Sequence, residues 1–462
     1  MYAEGFIILI IFIATLVLII SERINETAMA LFGMALAGLV LYVSPNPEVN
    51  RTFQEYMLSG GMAWDAVLFV TATMIIVSVA GSSGMFQFIA LFIAQQTNGE
   101  PKRVYIAFLL FVFVISMFFD PFPTVLIMGS FTIQVCRALE MDFRPVLMSE
   151  IIVANFSSIP SVVGSVQNVV IAYAAQDAGV FDAVSWFIIL FPMTALLFVV
   201  TLLFLLRKFS DRLTGTVLSS TATLYNVDPV SMIKSRRDFI LSVVGVGVLV
   251  TGFVLSPGFG VNPSLVAMIV ASLMLILSQD RAKALLQRLS WDSVFYLIAL
   301  FGLVEALSIT GFSSDLVAFI TTVTEDNPLL AAAFMIWIPG AALAVVDSIP
   351  VSVLMGNLAM SFAGVSAVVP LALVSGVNIS GYIIPIGDST NIMARGLSAE
   401  QGKPISWRDL IQVSFPLGFM HLVICTVYLS AVIVFGLLAA VVLLIVIGTV
   451  SYAIWRWLPK RQ

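Results

Sequence analysis

The chain has 462 residues, 60% apolar and only 10% charged. Soluble domains carry roughly 25% charged residues, so a soluble enzyme or a nucleic-acid binder is excluded and a polytopic membrane protein is indicated. The net charge of −5 therefore carries no message about a soluble partner in a chain with mean hydropathy +1.08.

The first apolar run, residues 6–20, has no basic stretch before it and runs into Ser21-Glu22-Arg23 rather than small cleavage-site residues. It reads as a retained helix. Helices follow at 27–44 and 65–81, and a short helix at 84–96 lies along the inner surface. Residues 103–138 read as a re-entrant hairpin with its tip at Asp120. A helix over 145–176 is broken in its middle, and a helix at 184–206 closes a first half, 5–208. A Ser- and Thr-rich linker, 209–236, leads to a second half, 237–432. Here the hairpin is 329–365, with its tip at Asp347, and the broken helix is 368–396. An extra helix follows at 434–456. Asn25 and Asn262 precede helices and have the residue type of N-caps.

The two halves repeat each other. Trp64-Asp65 returns as Trp291-Asp292, and "DPFPTVLIMG" (120–129) returns as "DSIPVSVLMG" (347–356), both at one common offset. Asn155-x-Ser157 returns as Asn378-x-Ser380, and Gly164-x-x-x-Asn168 as Gly387-x-x-x-Asn391, both at a second, slightly shorter offset. Repeats in transporters are often inverted across the membrane. Five crossings per half, with the N-terminus outside and the C-terminus inside, place every Lys and Arg except Arg51 inside, as the positive-inside rule asks. The expected architecture is an all-α polytopic protein of two inverted repeats and about 11 transmembrane helices in the cell membrane.

Lipid offers no hydrogen bonds, so irregular backbone at membrane depth survives only where protein or a wet cavity covers it. Four polar breaks occur. The tips carry Asp120 and Thr124, and Asp347 and Ser348. The broken helices carry Asn155, Ser157, Gly164 and Asn168, and Asn378, Ser380, Gly387, Asp388, Ser389, Thr390 and Asn391. Proline and glycine free backbone groups there. Half-helix N-termini suit anions, while carbonyls and carboxylates suit cations. Ionisable residues inside a membrane are costly and usually functional, which singles out Asp120, Asp347 and Asp388. Glu305 and His421 are weaker candidates for a proton relay. Glu150, near the inner end of its helix, reads as an entry residue or as merely interfacial. No Walker loop, catalytic triad or metal-ligand cluster appears, and Cys136 and Cys425 are far apart in sequence. An enzyme is not expected.

The order Trp-Asp, Asp-led tip, then Asn…Gly-x-x-x-Asn occurs twice, with Phe-Pro opening the last helix of each half ("LFPMTALLF", "SFPLGFMHL"). In this it resembles the ion transporter superfamily, in the branch of arsenite permeases, NhaD-type sodium/proton antiporters and the P protein. The divalent anion/sodium symporters are more distant relatives. The family's Asn after each tip Asp is absent here, and Ser165 stands where an Asp is usual. The resemblance implies an elevator-type transporter, commonly dimeric, with sodium between hairpin tips and broken helices. The matching positions for sodium are near Asp347, Asn378 and Asp388. The expected function is secondary active transport of a small inorganic ion or oxyanion, coupled to protons or sodium. The alternatives are a sodium/proton antiporter, a sodium-coupled carboxylate symporter and a passive ion channel.

Overall fold

The computed structural model describes residues 2–20, 24–59, 62–97, 100–177, 183–213, 228–259, 261–325, 327–362, 366–385 and 388–457. Gly387 and residues 214–227 of the linker fall outside these. Among the described residues the regular structure is entirely helical. The helices are α1 (Ala3–Ile20), α2 (Glu26–Val43), α3 (Phe53–Met57), α4 (Trp64–Ser83), α5 (Met85–Gln96), α6 (Pro101–Ser116), α7 (Pro121–Ala138), α8 (Phe143–Ser157), α9 (Val166–Asp177) and α10 (Ala183–Lys208). After the linker come α11 (Arg236–Phe259), α12 (Pro263–Leu277), α13 (Ala282–Gln287), α14 (Trp291–Ile309), α15 (Phe312–Thr324), α16 (Pro328–Trp337), α17 (Ser348–Ser361), α18 (Val368–Ile383), α19 (Ser389–Glu400), α20 (Trp407–Phe435) and α21 (Leu437–Trp457). Among the described residues, α2, α4, α10, α14 and α20 are each long and apolar enough to cross a membrane.

Local chemistry sets the helix boundaries. Asn25 accepts the Ala28 N–H at 2.9 Å and Asn262 accepts the Ser264 N–H at 3.1 Å, so both cap their helices. Such side-chain oxygens satisfy donors that a helix start leaves orphaned. α4 ends at Gly84, whose φ of +88° is the left-handed conformation glycine tolerates. A side chain at Gly84 would also collide with the Met232 carbonyl. The adjacent Lys234 N–H donates to the Ser83 carbonyl at 2.9 Å, which pins the end of the linker to α4. Gly311, at φ +83°, stands in the same way before α15.

The helix α15 is not among the elements expected from the sequence. The Phe-Pro pairs do not open the last helices as the motif reading has it, although the expected bounds 184–206 already hold Pro192 inside. Pro192 and Pro416 lie inside α10 and α20 rather than at their starts. Each helix begins about two turns earlier, and a membrane helix absorbs a proline where neighbours re-satisfy the freed carbonyl.

The buried apolar side chains form two cores. One gathers α5 to α8, α10, α16 to α18 and α20. The other gathers α1, α2, α4, α12 and α14. The helix α18 is buried along its whole length, as an element apolar on every side must be. Gly376 makes that possible, because a side chain there would strike the Met335 and Ile336 carbonyls of α16 at 2.8 and 2.7 Å.

Candidate functional site

Four half-helices begin at one place, between the two cores. Asp120 caps α7, accepting the Phe122 N–H at 3.0 Å. Asp347 caps α17, accepting the Ile349 N–H at 2.8 Å. Asp388 caps α19, accepting the Thr390 N–H at 3.0 Å. Ser165 stands at the start of α9, where its hydroxyl accepts the Asn168 N–H at 3.4 Å. An acid is thus present in one broken helix and absent from the other, while the capping position is kept in both. A carboxylate at a helix N-terminus is stabilised by the helix dipole, which lowers the cost of placing it at this depth.

The three carboxylates are used differently. Asp120 has both oxygens engaged, the second accepting the Val166 N–H of α9 at 3.3 Å. This bond ties the start of α7 to the start of α9. Asp347 and Asp388 each have one oxygen in a cap. The second oxygen of Asp347 makes no protein hydrogen bond among the described residues, while the Asp388 carboxylate also takes a side-chain hydrogen bond from Thr390.

The two broken helices are clasped by an asparagine pair. The Asn378 amide nitrogen donates to Asn168 Oδ1 at 2.7 Å and to the Val374 carbonyl at 2.8 Å. Its oxygen accepts from the Ser158 hydroxyl at 2.6 Å and from Ser165 at 3.2 Å. The Asn168 amide donates to the Ser158 and Ser161 carbonyls, both at 2.8 Å. All of these residues are buried, and in lipid or a dry core such groups need these partners. Asn378 is therefore occupied as a structural clasp. Gly164 fits the same turn, because a side chain there would meet the Ser158 carbonyl at 2.6 Å. A hydrogen bond from Gln167 of α9 to Ser348 joins α9 to α17.

A cavity of about 580 Å³ opens against this junction. One wall is the breaks: Asp120, Asn155, Ser165, Gln167, Asp347, Ser348, Asp388, Ser389 and Thr390. The facing wall comes from the other core, with Glu26 of α2, Thr73 and Ser78 of α4, and Asp292 and Tyr296 of α14. Arg288 also lines it. Ser158 and Gln167 were not singled out in the sequence. Their signal was position, since Ser158 is the repeat counterpart of Gly381 and Gln167 lies beside Asn168.

Other candidates lie elsewhere. The hydroxyls of Ser157 and Ser380 turn back onto the Val153 and Val377 carbonyls of their own helices, at 2.5 and 2.7 Å. Thr124 is buried, its hydroxyl without a partner among the described residues. Neither Glu305 nor His421 lines the cavity. His421 is fully buried between Tyr382, at 2.5 Å, and Thr201, at 2.9 Å, with Phe156 edge-on to its ring. Glu150 departs from its interfacial reading. It is fully buried and accepts the Thr132 hydroxyl at 2.5 Å, because α7 packs over that face of α8.

The family model described as a citrate transporter matches residues 16–377. The chain belongs to that citrate transporter family. Several known proteins are similar along nearly the whole chain. An uncharacterized transporter of Mycobacterium bovis is 28% identical over 428 residues, covering 91% of this chain and 96% of the relative. A 46 kDa membrane protein of Mycobacterium leprae is 26% identical with the same coverage. The P protein of Sus scrofa is 22% identical, covering 92% of this chain and 59% of its own length. This citrate transporter family member is thus a multi-pass transporter of the plasma membrane, and it is not an enzyme.

Proposed function

We propose that this protein is a secondary active transporter. It moves a small inorganic ion or oxyanion across the cytoplasmic membrane, coupled to a proton or sodium gradient, by elevator-type alternating access. The observation that carries the reading is the cavity at the four half-helix starts, which the carboxylates of Asp347 and Asp388 both line. Buried carboxylates of this kind are costly in a membrane and serve ion or proton pathways. The core holding the hairpins and broken helices would be the moving body, and the core of α1, α2, α4, α12 and α14 the scaffold. The two halves would insert in opposite orientations, each hairpin re-entrant. The cavity reaches Ser82, Arg288 and Asp292, at helix ends that the positive-inside rule assigns to the cytoplasm. On this reading the cavity opens toward the cytoplasm.

The lining supports a cation or a neutral solute over a free polyanion, because it holds Asp120, Asp347, Asp388, Glu26 and Asp292 against Arg288. A second reading, sodium-coupled carboxylate symport, is favoured by the description of the matching family. It requires bound cations to offset those acids. Flux into proteoliposomes under imposed proton and sodium gradients tests the proposal. Accumulation against the solute gradient that collapses with an ionophore is expected. Flux that only runs downhill would instead mark a passive channel.

A further inference from the structure

The internal repeat gives the core of α1, α2, α4, α12 and α14 two equivalent ends, and only one of them is tied to a broken helix. At one end Asp65, in the first turn of α4, meets the start of α12. The Asn262 amide donates to Asp65 Oδ2 at 2.9 Å, and the Ser264 hydroxyl lies 3.1 Å from Asp65 Oδ1. At the other end Asp292, in the first turn of α14, meets the start of α2. There the Thr27 hydroxyl donates to the Asp292 carbonyl at 3.1 Å. Asp292 is the repeat counterpart of Asp65, and Asn25 caps α2 as Asn262 caps α12. The two ends therefore correspond, helix for helix.

Tyr173 of α9 makes the difference. Its hydroxyl donates to Asn262 Oδ1 at 2.7 Å, and its ring packs against the same core. The helix α9 also carries Gln167 and Asn168, which bond to α17 and α18 of the other core. One chain of hydrogen bonds, Tyr173 to Asn262 to Asp65, thus runs from a broken helix into the facing core. The counterpart of Tyr173, at the offset that pairs Asn168 with Asn391, is Gly396. It has no side chain to make such a bond, and a carbon added there would meet nothing within 4 Å. The cavity opens at this second end, where Glu26 and Asp292 line it, and not at the end of Asp65, Asn262 and Tyr173.

The bond from Asn262 to Asp65 is charge-assisted, which makes it the stronger kind. It also fixes which way the amide points, so that Asn262 Oδ1 faces the Tyr173 hydroxyl. A bond that bridges two bodies breaks when they slide past each other. It therefore stabilises the arrangement in which it forms, and the populations shift by that difference. We infer that Tyr173, Asn262 and Asp65 form a latch that holds the outer end of the transport path shut. Gly396 leaves the inner end without one, which biases the resting protein toward the arrangement open to the cytoplasm. The assignment of outer and inner follows the five-crossing orientation, in which Asp65 and Asn262 lie outside and Glu26 and Asp292 inside.

This inference rests on the reading of the chain as an alternating-access transporter, but its test reads the balance between two states and not flux. The parent is Ser389→Cys, whose thiol would stand in the cavity. It is labelled by a membrane-impermeant maleimide from either face of oriented vesicles. Tyr173→Phe keeps the ring and removes only the hydroxyl. It should raise the labelling rate from the outer face about 3-fold, and at most about 20-fold, the range that one interhelical hydrogen bond supplies. Asn262→Ser keeps a residue that caps a helix and removes the bridge, so it should give a rise of similar size. The two variants together should match the larger single rise, because both break one chain of bonds. An unchanged outer rate in Tyr173→Phe, beside a parent labelled from both faces, would overturn the latch and leave alternating access standing. So would rises that multiply in the double variant. A parent labelled from a single face under every gradient would remove alternating access, and the latch with it.

Discussion

Asp388→Asn is expected to lower gradient-driven transport at least about 100-fold, a loss of roughly 2.7 kcal/mol at tenfold per 1.36 kcal/mol, while the protein stays folded. Asn caps a helix as well as Asp does, so the bond to the Thr390 N–H survives and only the charge is lost. Asp388→Ala removes both, and the lost cap adds about 1 kcal/mol of destabilisation. The pair of variants separates the two roles of one residue. Asp347→Asn should behave as Asp388→Asn does, because it too keeps its cap and loses a charge that lines the cavity. Asp120→Asn should instead act through structure, since its amide can accept only one of the two backbone N–H groups that the Asp120 oxygens serve and would loosen the tie between α7 and α9. Initial rates in proteoliposomes, read beside unfolding temperatures in detergent, check all three. Full activity in Asp388→Asn and Asp347→Asn would remove these carboxylates from the coupling mechanism.

The second large effect concerns stability. Asn378→Leu is expected to destabilise the protein by about 2–4 kcal/mol, from the bonds it breaks and the partners it strands, and in many preparations to prevent its isolation. Interhelical side-chain bonds in membrane proteins average about 0.6 kcal/mol and reach about 1.7 kcal/mol. Asn378 makes three such bonds, to Ser158, Ser165 and Asn168. The leucine would also leave the partner groups buried and unpaired. Pairing Asn378→Leu with Asn168→Leu in a double-mutant cycle should give a combined loss well below the sum of the single losses. Additive losses would show that the clasp contributes nothing as a pair.

The polar breaks are legible in the sequence because a bilayer penalises them. An Asp, Asn or Pro inside an apolar run needs a reason, and the reason narrows quickly. The capping role of Asp120, Asp347 and Asp388 is local and could be read from each acid standing just ahead of a helical run. What each asparagine does was not legible. Asn155 and Asn378 have the same residue type in the same repeat, and sequence alone groups Asn378 with Asp347 and Asp388. The structure fills Asn378 with four hydrogen bonds and places Asn155 beside Asp388 and Gly381. That partition depends on how the broken helices cross, a contact between segments far apart in the chain. The helix α15 was missed for a simpler reason. Its signal was Gly311, the repeat counterpart of Gly84, with the same left-handed turn. The Phe-Pro pairs misled because proline marks a helix start in water more strongly than it does in a membrane.

The cavity at the half-helix starts is claimed to be a site that faces each side of the membrane in turn. Ser389 lines it and is exposed to it, while Cys136 and Cys425 are fully buried. Ser389→Cys therefore places one reactive thiol in the site on a quiet background. Labelling by a membrane-impermeant maleimide, applied from one face or the other of oriented vesicles, reads its accessibility. The account predicts labelling from both faces, with the balance between them shifted by an imposed sodium or proton gradient. Labelling from a single face under every gradient would contradict it.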